Sequence, residues 1–152
     1  MLVRKHPVIG ERILTPIIRN RGVRAAIRGH HERFDGQGYP DGLAGQDIPI
    51  LARLIALVDS FDAMTSVRPY RAPISLGSAL SELVRLAPEK FDPNVVQGLL
   101  IQVRRDAVGS NRTPLLDTMS VNISATDIDQ LAATLQHKIS RGKVYLTKDA
   151  GS

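Results

Sequence analysis

The chain has 152 residues, a formal net charge of +5 and no cysteine. That excludes disulfides, Cys-ligated zinc and thiol nucleophiles, and no apolar run is long enough to cross a bilayer or resembles a signal peptide. Hydrophobic residues at 43% and charged residues at 23% describe an ordinary globular domain rather than a disordered one, and aromatics at 4% with no Trp leave Leu, Ile, Val and Ala to make the core. A cytoplasmic protein is expected, with no membrane partner. The basic balance admits nucleic acid, an anionic surface or a phosphorylated small molecule as partner. Scattered Arg with so few stacking rings makes a nucleic-acid polymer a poor candidate.

Pro7 stands where a first helical residue would, and Val8, Ile9, Ile13 and Leu14 follow at helical spacing until Pro16 bends or ends the helix. A second helix is expected from about Gly22 to about His31. Between Phe34 and Pro49, glycines at 36, 38, 42 and 45 and prolines at 40 and 49 allow neither a helix nor a central strand, so an ordered series of turns is expected. Asp47 is a candidate N-cap for a third helix through LARLIALVDSFDAMTS. That helix is apolar over most of its circumference, with Leu51, Ile55, Val58 and Phe61 or Asp62 along one side, and reads as a buried central helix.

A fourth helix starts near Ser75 with Leu76, Leu80, Leu83 and Val84 inward. Asp92-Pro93 opens a fifth, with Val96, Leu99, Leu100 and Val103 inward. After about Asp106 the composition changes. VGSNRTPLLD reads as a linker and Met119–Ile123 as a strand. Ser124 and Asp127 form a capping-box variant ahead of a helix bearing Ile128, Leu131, Leu135 and Ile139. Gly142 reads as its stop and Lys143–Thr147 as a second strand. The expected organisation is an all-α body over residues 1–105 and, over 106–152, a linker with a small α/β or irregular tail.

Three of the four histidines, His6, His30 and His31, lie in the helical body at helix ends, and Asp59 and Asp62 interrupt an apolar helix. A buried carboxylate is costly unless a cation compensates it, and imidazole with carboxylate suits Fe, Mn or Zn. Adjacent helical residues diverge by about 100°, so His30 and His31 are not expected to chelate one ion together. Each residue taken singly also has an ordinary explanation. His6 is then a solvent or capping residue, the His pair answers the negative end of a helix dipole, and Asp59 pairs with an Arg. His137, among polar neighbours, reads as a surface residue.

The order HPVIGERIL, IRGHHERFDGQGYPDGLAGQDIP, RLIALVDSFDAMTSVRPYR, FDPNVV over about residues 3–100 closely resembles the HD-GYP family of bacterial phosphodiesterases, with Gly38, Tyr39 and Pro40 as the name-giving tripeptide. The resemblance implies an all-helical HD-domain-like bundle and hydrolysis of cyclic di-GMP to the linear dinucleotide or GMP, in second-messenger signalling. It implies two or three divalent metal ions in the complete domain, Fe or Mn foremost. His6, His30, His31 and Asp59 correspond to metal ligands, with His30, His31 and Asp59 at the catalytic centre. Arg68 and Arg71 correspond to residues that grip substrate phosphate, for which a planar guanidinium fork is apt. Asp62, Thr65 and Ser66 then support ligands and Arg. The Gly38-Tyr39-Pro40 loop lies beside the site and is implicated in contacts with signalling proteins.

One departure stands out. The family's His-Asp pair, the Lys after it and an earlier His or Glu ligand precede the HPxxG segment, whereas here Met1 lies five residues before His6 and no His-Asp dipeptide occurs. The expectation is therefore the C-terminal part of such a domain, weakly active or inactive alone, with apolar surface that favours a homodimer. A fragment or late start, a degenerate protein and ligands supplied by another chain are the three explanations. The alternative function is a non-catalytic signalling module that binds a partner through the Gly-Tyr-Pro loop.

Overall fold

Local sequence signals set most helix ends in the computed structural model, which describes residues 3–108 and 123–146. Helix α1 (His6–Leu14) carries Pro7 in its first turn, where the missing N–H has no intrahelical partner to lose, and it ends before Pro16. Helix α2 (Arg21–Gly29) is capped by Asn20, whose side-chain oxygen accepts from the N–H of Gly22 at 2.9 Å and of Val23 at 3.2 Å. It stops two residues earlier than expected. The stretch that follows is a series of turns, with Gly36, Gly42 and Gly45 at φ of 79°, 68° and 54°. Those values favour residues without a Cβ.

Helix α3 (Ile50–Thr65) opens after a single 3₁₀ turn, Gly45–Asp47. Asp47 therefore lies in the preceding turn and is not its N-cap; Pro49 occupies the flanking position and accepts from the N–H of Arg53 at 3.1 Å. The expectation of a buried central helix also fails in part. Ala52, Leu57, Phe61 and Met64 are buried, but Ile50, Leu51, Leu54, Ile55 and Val58 are 41–60% exposed. An all-round apolar helix is buried only when neighbours cover every face. Among the described residues this face has no such cover.

Helix α4 (Leu76–Leu86) is capped by Ser75, whose hydroxyl accepts from the N–H of Ser78. It buries Leu76, Ala79, Leu80, Leu83 and Val84. Helix α5 (Pro93–Val108) starts on its proline and buries Val96, Leu100 and Val103, with Leu99 half-buried. Helix α6 (Ala125–Leu146) opens with the anticipated reciprocal cap. The Ser124 hydroxyl accepts from the N–H of Asp127, and the Asp127 carboxylate accepts from the N–H and hydroxyl of Ser124.

The C-terminal expectations need correcting. Helix α6 runs through Gly142 to Leu146, so Gly142 is no stop and Lys143–Leu146 is helix, not strand. A glycine within a helix costs only about 1 kcal/mol, which a long packed helix absorbs, and a strand needs a partner. Among the described residues none is available: the sole β feature is an isolated antiparallel bridge between Arg68 and Arg71. The expected linker and first strand fall largely within 109–122, outside the described residues.

The chain divides into two compact units. One comprises Met1–Ser60 with Glu89–Asp92, and the other Phe61–Pro88 with Pro93–Ser152. In the first, α1 packs on α2, and Gly29 brings α2 close to α3, since a Cβ there would lie 3.3 Å from that of Ala52. In the second, α4, α5 and α6 pack on one another around Leu80, Leu83, Leu100, Ile128 and Leu135. No helix among the described residues is long and apolar enough to cross a membrane.

Candidate metal centre

Three histidines separated by 24 and 25 positions meet in the first unit. His6 opens α1, His30 is the C-cap of α2, and His31 follows in the next turn. The Nε2 atom of His6 lies 3.3 Å from Nε2 of His30 and 3.1 Å from Nε2 of His31. One ligand atom from each falls within 4.8 Å of the others. The two neighbours do converge, contrary to the 100° argument. That offset belongs to a continuing helix, and α2 ends at Gly29, so His31 is free of it.

The backbone fixes part of the chemistry. A carbonyl oxygen only accepts, so the contact of His30 Nδ1 with Ile27 O at 2.7 Å makes Nδ1 the protonated nitrogen and directs the Nε2 lone pair into the cluster. His31 is half-buried, and burial, followed by the neighbouring His30 and His6, holds its pKa below the ordinary 6.5 against the opposing charge of Asp59. It is thereby kept in the neutral form that ligates metals. A metal–nitrogen bond of about 2.0–2.1 Å places adjacent nitrogens of a tetrahedral or octahedral shell about 2.9–3.4 Å apart. The 3.1 and 3.3 Å separations from His6 fall inside that window, and with all three nitrogens within 4.8 Å of one another the group could hold a metal ion.

Asp59 on α3 lines the same cavity of about 280 Å³ as His30 and His31 but lies outside the tight histidine cluster. It is exposed, as is Asp62, so the argument from a costly buried carboxylate does not apply to either residue here. Arg68 and Arg71 belong to the second unit. Each donates its N–H to the other's carbonyl, at 3.3 and 3.2 Å, across a tight turn. Both side chains are exposed, and the Arg68 guanidinium lies 3.9 Å from the Asp62 carboxylate. Ser66 donates its hydroxyl to Asp62 at 2.7 Å, and Thr65 donates to Phe61 O at 2.9 Å. His137 is exposed on α6.

The Gly-Tyr-Pro loop is built into this site. The Tyr39 ring stacks on His31, with centroids 5.0 Å apart and planes at 29°, and its N–H donates to His31 O at 3.2 Å. Gly38 presses so closely on the backbone of Glu32 and Arg33 that a Cβ would overlap it. The Arg4 guanidinium lies 5.3 Å from the Tyr39 ring centroid.

Sequence reasoning passed over the residue that holds this loop in place. Glu32 is 4% exposed, and its carboxylate accepts from the N–H groups of Asp41, Gly42 and Leu43 at 2.7, 3.1 and 3.1 Å. A charged residue directly after a His pair and before a Gly-rich loop was the available signal. Arg28 adds a fork to Asp41, two bonds of 2.7 Å, and a 2.9 Å contact to Glu11, which ties α1, α2 and the loop together. The guanidinium holds the Asp41 carboxyl below its usual value, and the two carboxylates raise Arg28 in turn.

A family model described as HD domain matches residues 1–95. The cyclic di-GMP phosphodiesterase response regulator RpfG of Xanthomonas campestris pv. campestris is 44% identical over 103 residues, covering 65% of this chain and 27% of that protein. A cyclic di-GMP phosphodiesterase of Thermotoga maritima is 43% identical over 103 residues, with the same shares covered. The chain thus spans about a quarter of the length of these curated relatives. The crystal structure of a cyclic GMP-AMP specific phosphodiesterase of Vibrio cholerae, V-cGAP3, matches with a TM-score of 0.58 at 21% identity, covering 91% of this chain and 34% of that one. At that identity the likeness speaks for the all-helical fold.

Proposed function

Because the chain belongs to the HD domain family, in its HD-GYP branch, we propose that it carries part of the metal centre of a phosphodiesterase that hydrolyses cyclic di-GMP. The convergence of the His6, His30 and His31 imidazoles is the observation that carries this reading. The names of the two relatives favour cyclic di-GMP over other cyclic dinucleotides.

In this reading His6, His30, His31 and Asp59 are the metal ligands, and Fe or Mn suits a set of imidazoles with one carboxylate. Bound there, such ions supply Lewis acidity that offsets phosphodiester charge and makes water a better nucleophile at neutral pH. Four ligands serve one ion, so the further ions of the family pattern call on ligands beyond these. The chain's own residues do the rest. Ile27 O sets the His30 tautomer. Tyr39 braces the His31 ring, and Glu32 holds the loop that carries Tyr39. Arg68 and Arg71 grip substrate phosphate, with Asp62 and Ser66 steadying Arg68. The stacking of Tyr39 on His31 gives the Gly-Tyr-Pro loop a role within the site, and no observation favours the reading of a purely partner-binding module.

The test is incubation of the Mn²⁺- or Fe²⁺-loaded chain with cyclic di-GMP and, in parallel, with cyclic GMP-AMP. The expected result is slow hydrolysis of cyclic di-GMP to the linear dinucleotide or GMP, abolished by a chelator and by His31→Ala with the helical circular dichroism intact. A chain that takes up no metal, or that takes it up and neither binds nor cleaves cyclic di-GMP, contradicts the reading.

A further inference from the structure

We infer that one water molecule binds in a small cavity between Arg53 and Glu32, and that Arg53 acts through it as a positioning residue for the Gly-rich loop. The starting observation is a donor without an acceptor. Arg53 on α3 directs Nη1 to the Asp92 carboxylate and, at 2.8 Å, to Gln46 Oε1. The Nε–H of the same guanidinium is buried and meets no hydrogen-bond partner. The side chain is 11% exposed, and bulk solvent does not reach that atom. A buried donor left in this way keeps its full desolvation cost, which folded proteins offset with a protein acceptor or a bound water.

The wall around Nε sets the size and chemistry of the ligand. Arg53 shares with Glu32, Phe34, Ile48, Ala56 and Asp92 a cavity that gives the centre of a water-sized sphere about 10 Å³. That is room for a single water and nothing larger. A monatomic cation there would face the guanidinium, and an anion would face the carboxylates of Glu32 and Asp92, so a neutral ligand that both donates and accepts is the one that fits. A carboxylate oxygen accepts at about two positions. Glu32 Oε1 uses both, on the N–H groups of Asp41 and Gly42 at 2.7 and 3.1 Å, whereas Oε2 uses one, on Leu43 N–H at 3.1 Å. The remaining position on Oε2 and the Arg53 Nε–H are complementary to one water, which accepts from Nε and donates to Oε2. Its second hydrogen has the Asp92 carboxylate on the same wall to turn to. A bridging water of this kind is nearly as good as a direct bond. It joins the Glu32 clasp on the loop to the Arg53–Asp92 pair, so α3 helps to hold the segment that follows Tyr39. The bridge needs neither metal nor substrate and stands apart from the phosphodiesterase reading.

The experiment has two parts, both on the full chain. In water-selective NOE and ROE spectra of the ¹⁵N-arginine-labelled wild type, Arg53 Hε should show a water cross-peak whose ROE is opposite in sign to the diagonal, which proton exchange does not produce, and to the NOE, as a long-held water gives. Arg53→Lys then keeps a positive charge beside Asp92 but puts a methylene where Nε stands. With helical circular dichroism intact, amide hydrogen exchange at Leu43 should quicken about fivefold to tenfold in this variant, while the amides of Leu83 and Leu100 keep their rates. Absence of the water cross-peak at Arg53 Hε in the wild type would overturn the water site, whatever the variant does. An unchanged Leu43 rate in folded Arg53→Lys, or equal quickening at Leu83 and Leu100, would overturn the positioning role.

Discussion

In the unit that holds α4, α5 and α6, Leu76, Leu80, Leu83, Leu100, Ile128 and Leu135 are all at or below 5% exposure. In the unit that holds the histidines, the buried apolar side chains among the described residues are far fewer: Ala26, Ile48, Ala52, Leu57 and Phe91, with Pro7 beside them. There the order comes from directed polar contacts instead. Glu32 gathers three backbone N–H groups, Arg28 bridges Asp41 and Glu11, and Arg53 pairs with buried Asp92. The contrast is physically sensible. A leucine core stabilises in proportion to the area it buries and is indifferent to direction, whereas a metal centre needs its ligands held at set angles, which hydrogen bonds provide.

Truncating the second core should have the largest effect on stability. Leu83→Ala or Leu100→Ala removes a side chain at or below 1% exposure and should cost about 2–5 kcal/mol in urea unfolding. Val58→Ala on the exposed face of α3, where the side chain is 60% exposed, should stay within about 0.5 kcal/mol. Equal losses at the two places would break the comparison.

Glu32→Gln comes next. It keeps the shape but removes the charge that three N–H groups point at, at an expected cost of about 1–3 kcal/mol. Metal affinity should fall with it by about 10–100-fold, because Tyr39 loses its support against His31. Metal titration of this variant beside Leu83→Ala separates the two kinds of order, since the core variant should bind metal normally at temperatures where it is folded.

Ser75→Ala sharpens the account of the second unit at smaller scale. Loss of the bond to Ser78 N–H should cost about 1 kcal/mol and leave metal binding untouched. The smallest effect concerns pH. Arg28 holds the Asp41 carboxyl below its ordinary 3.8, so the folded form binds that proton less readily than the unfolded chain. The pair's contribution is complete above about pH 4 and is lost as pH falls through the depressed value. Both side chains are about a third exposed, so it should amount to less than about 1 kcal/mol. Urea midpoints at pH 5 and pH 3 should differ less in Asp41→Asn than in the wild type.

What the sequence disclosed and what it hid divide along the same line. Ser75, Pro93 and the Ser124–Asp127 pair act within one turn of chain, so their caps and starts were legible. The inward faces of α4 and α5 followed from periodicity. The exposed stripe of α3 did not, because a pattern cannot say which neighbours arrive to cover it. Gly142 misled because a glycine ends a helix only when the chain turns there, and the strand expected beyond it had no partner. At the site, the family resemblance marked His6, His30 and His31. Their meeting depends on α2 ending at Gly29, one residue before the His pair, which helical geometry extended past that point missed. The hold of Glu32 on the loop and the stacking of Tyr39 on His31 depend on how the Gly-rich segment folds back on itself, which helical or strand periodicity does not encode.

The most direct test of the central claim is a Zn²⁺ titration of ¹⁵N-histidine-labelled chain followed by long-range ¹H–¹⁵N NMR, with diamagnetic Zn²⁺ standing in for Fe or Mn. The account predicts that the imidazole signals of His6, His30 and His31 shift together and saturate at a common equivalence point while exposed His137 stays in place. Independent shifts of the three, or a His137 response equal to theirs, would contradict it.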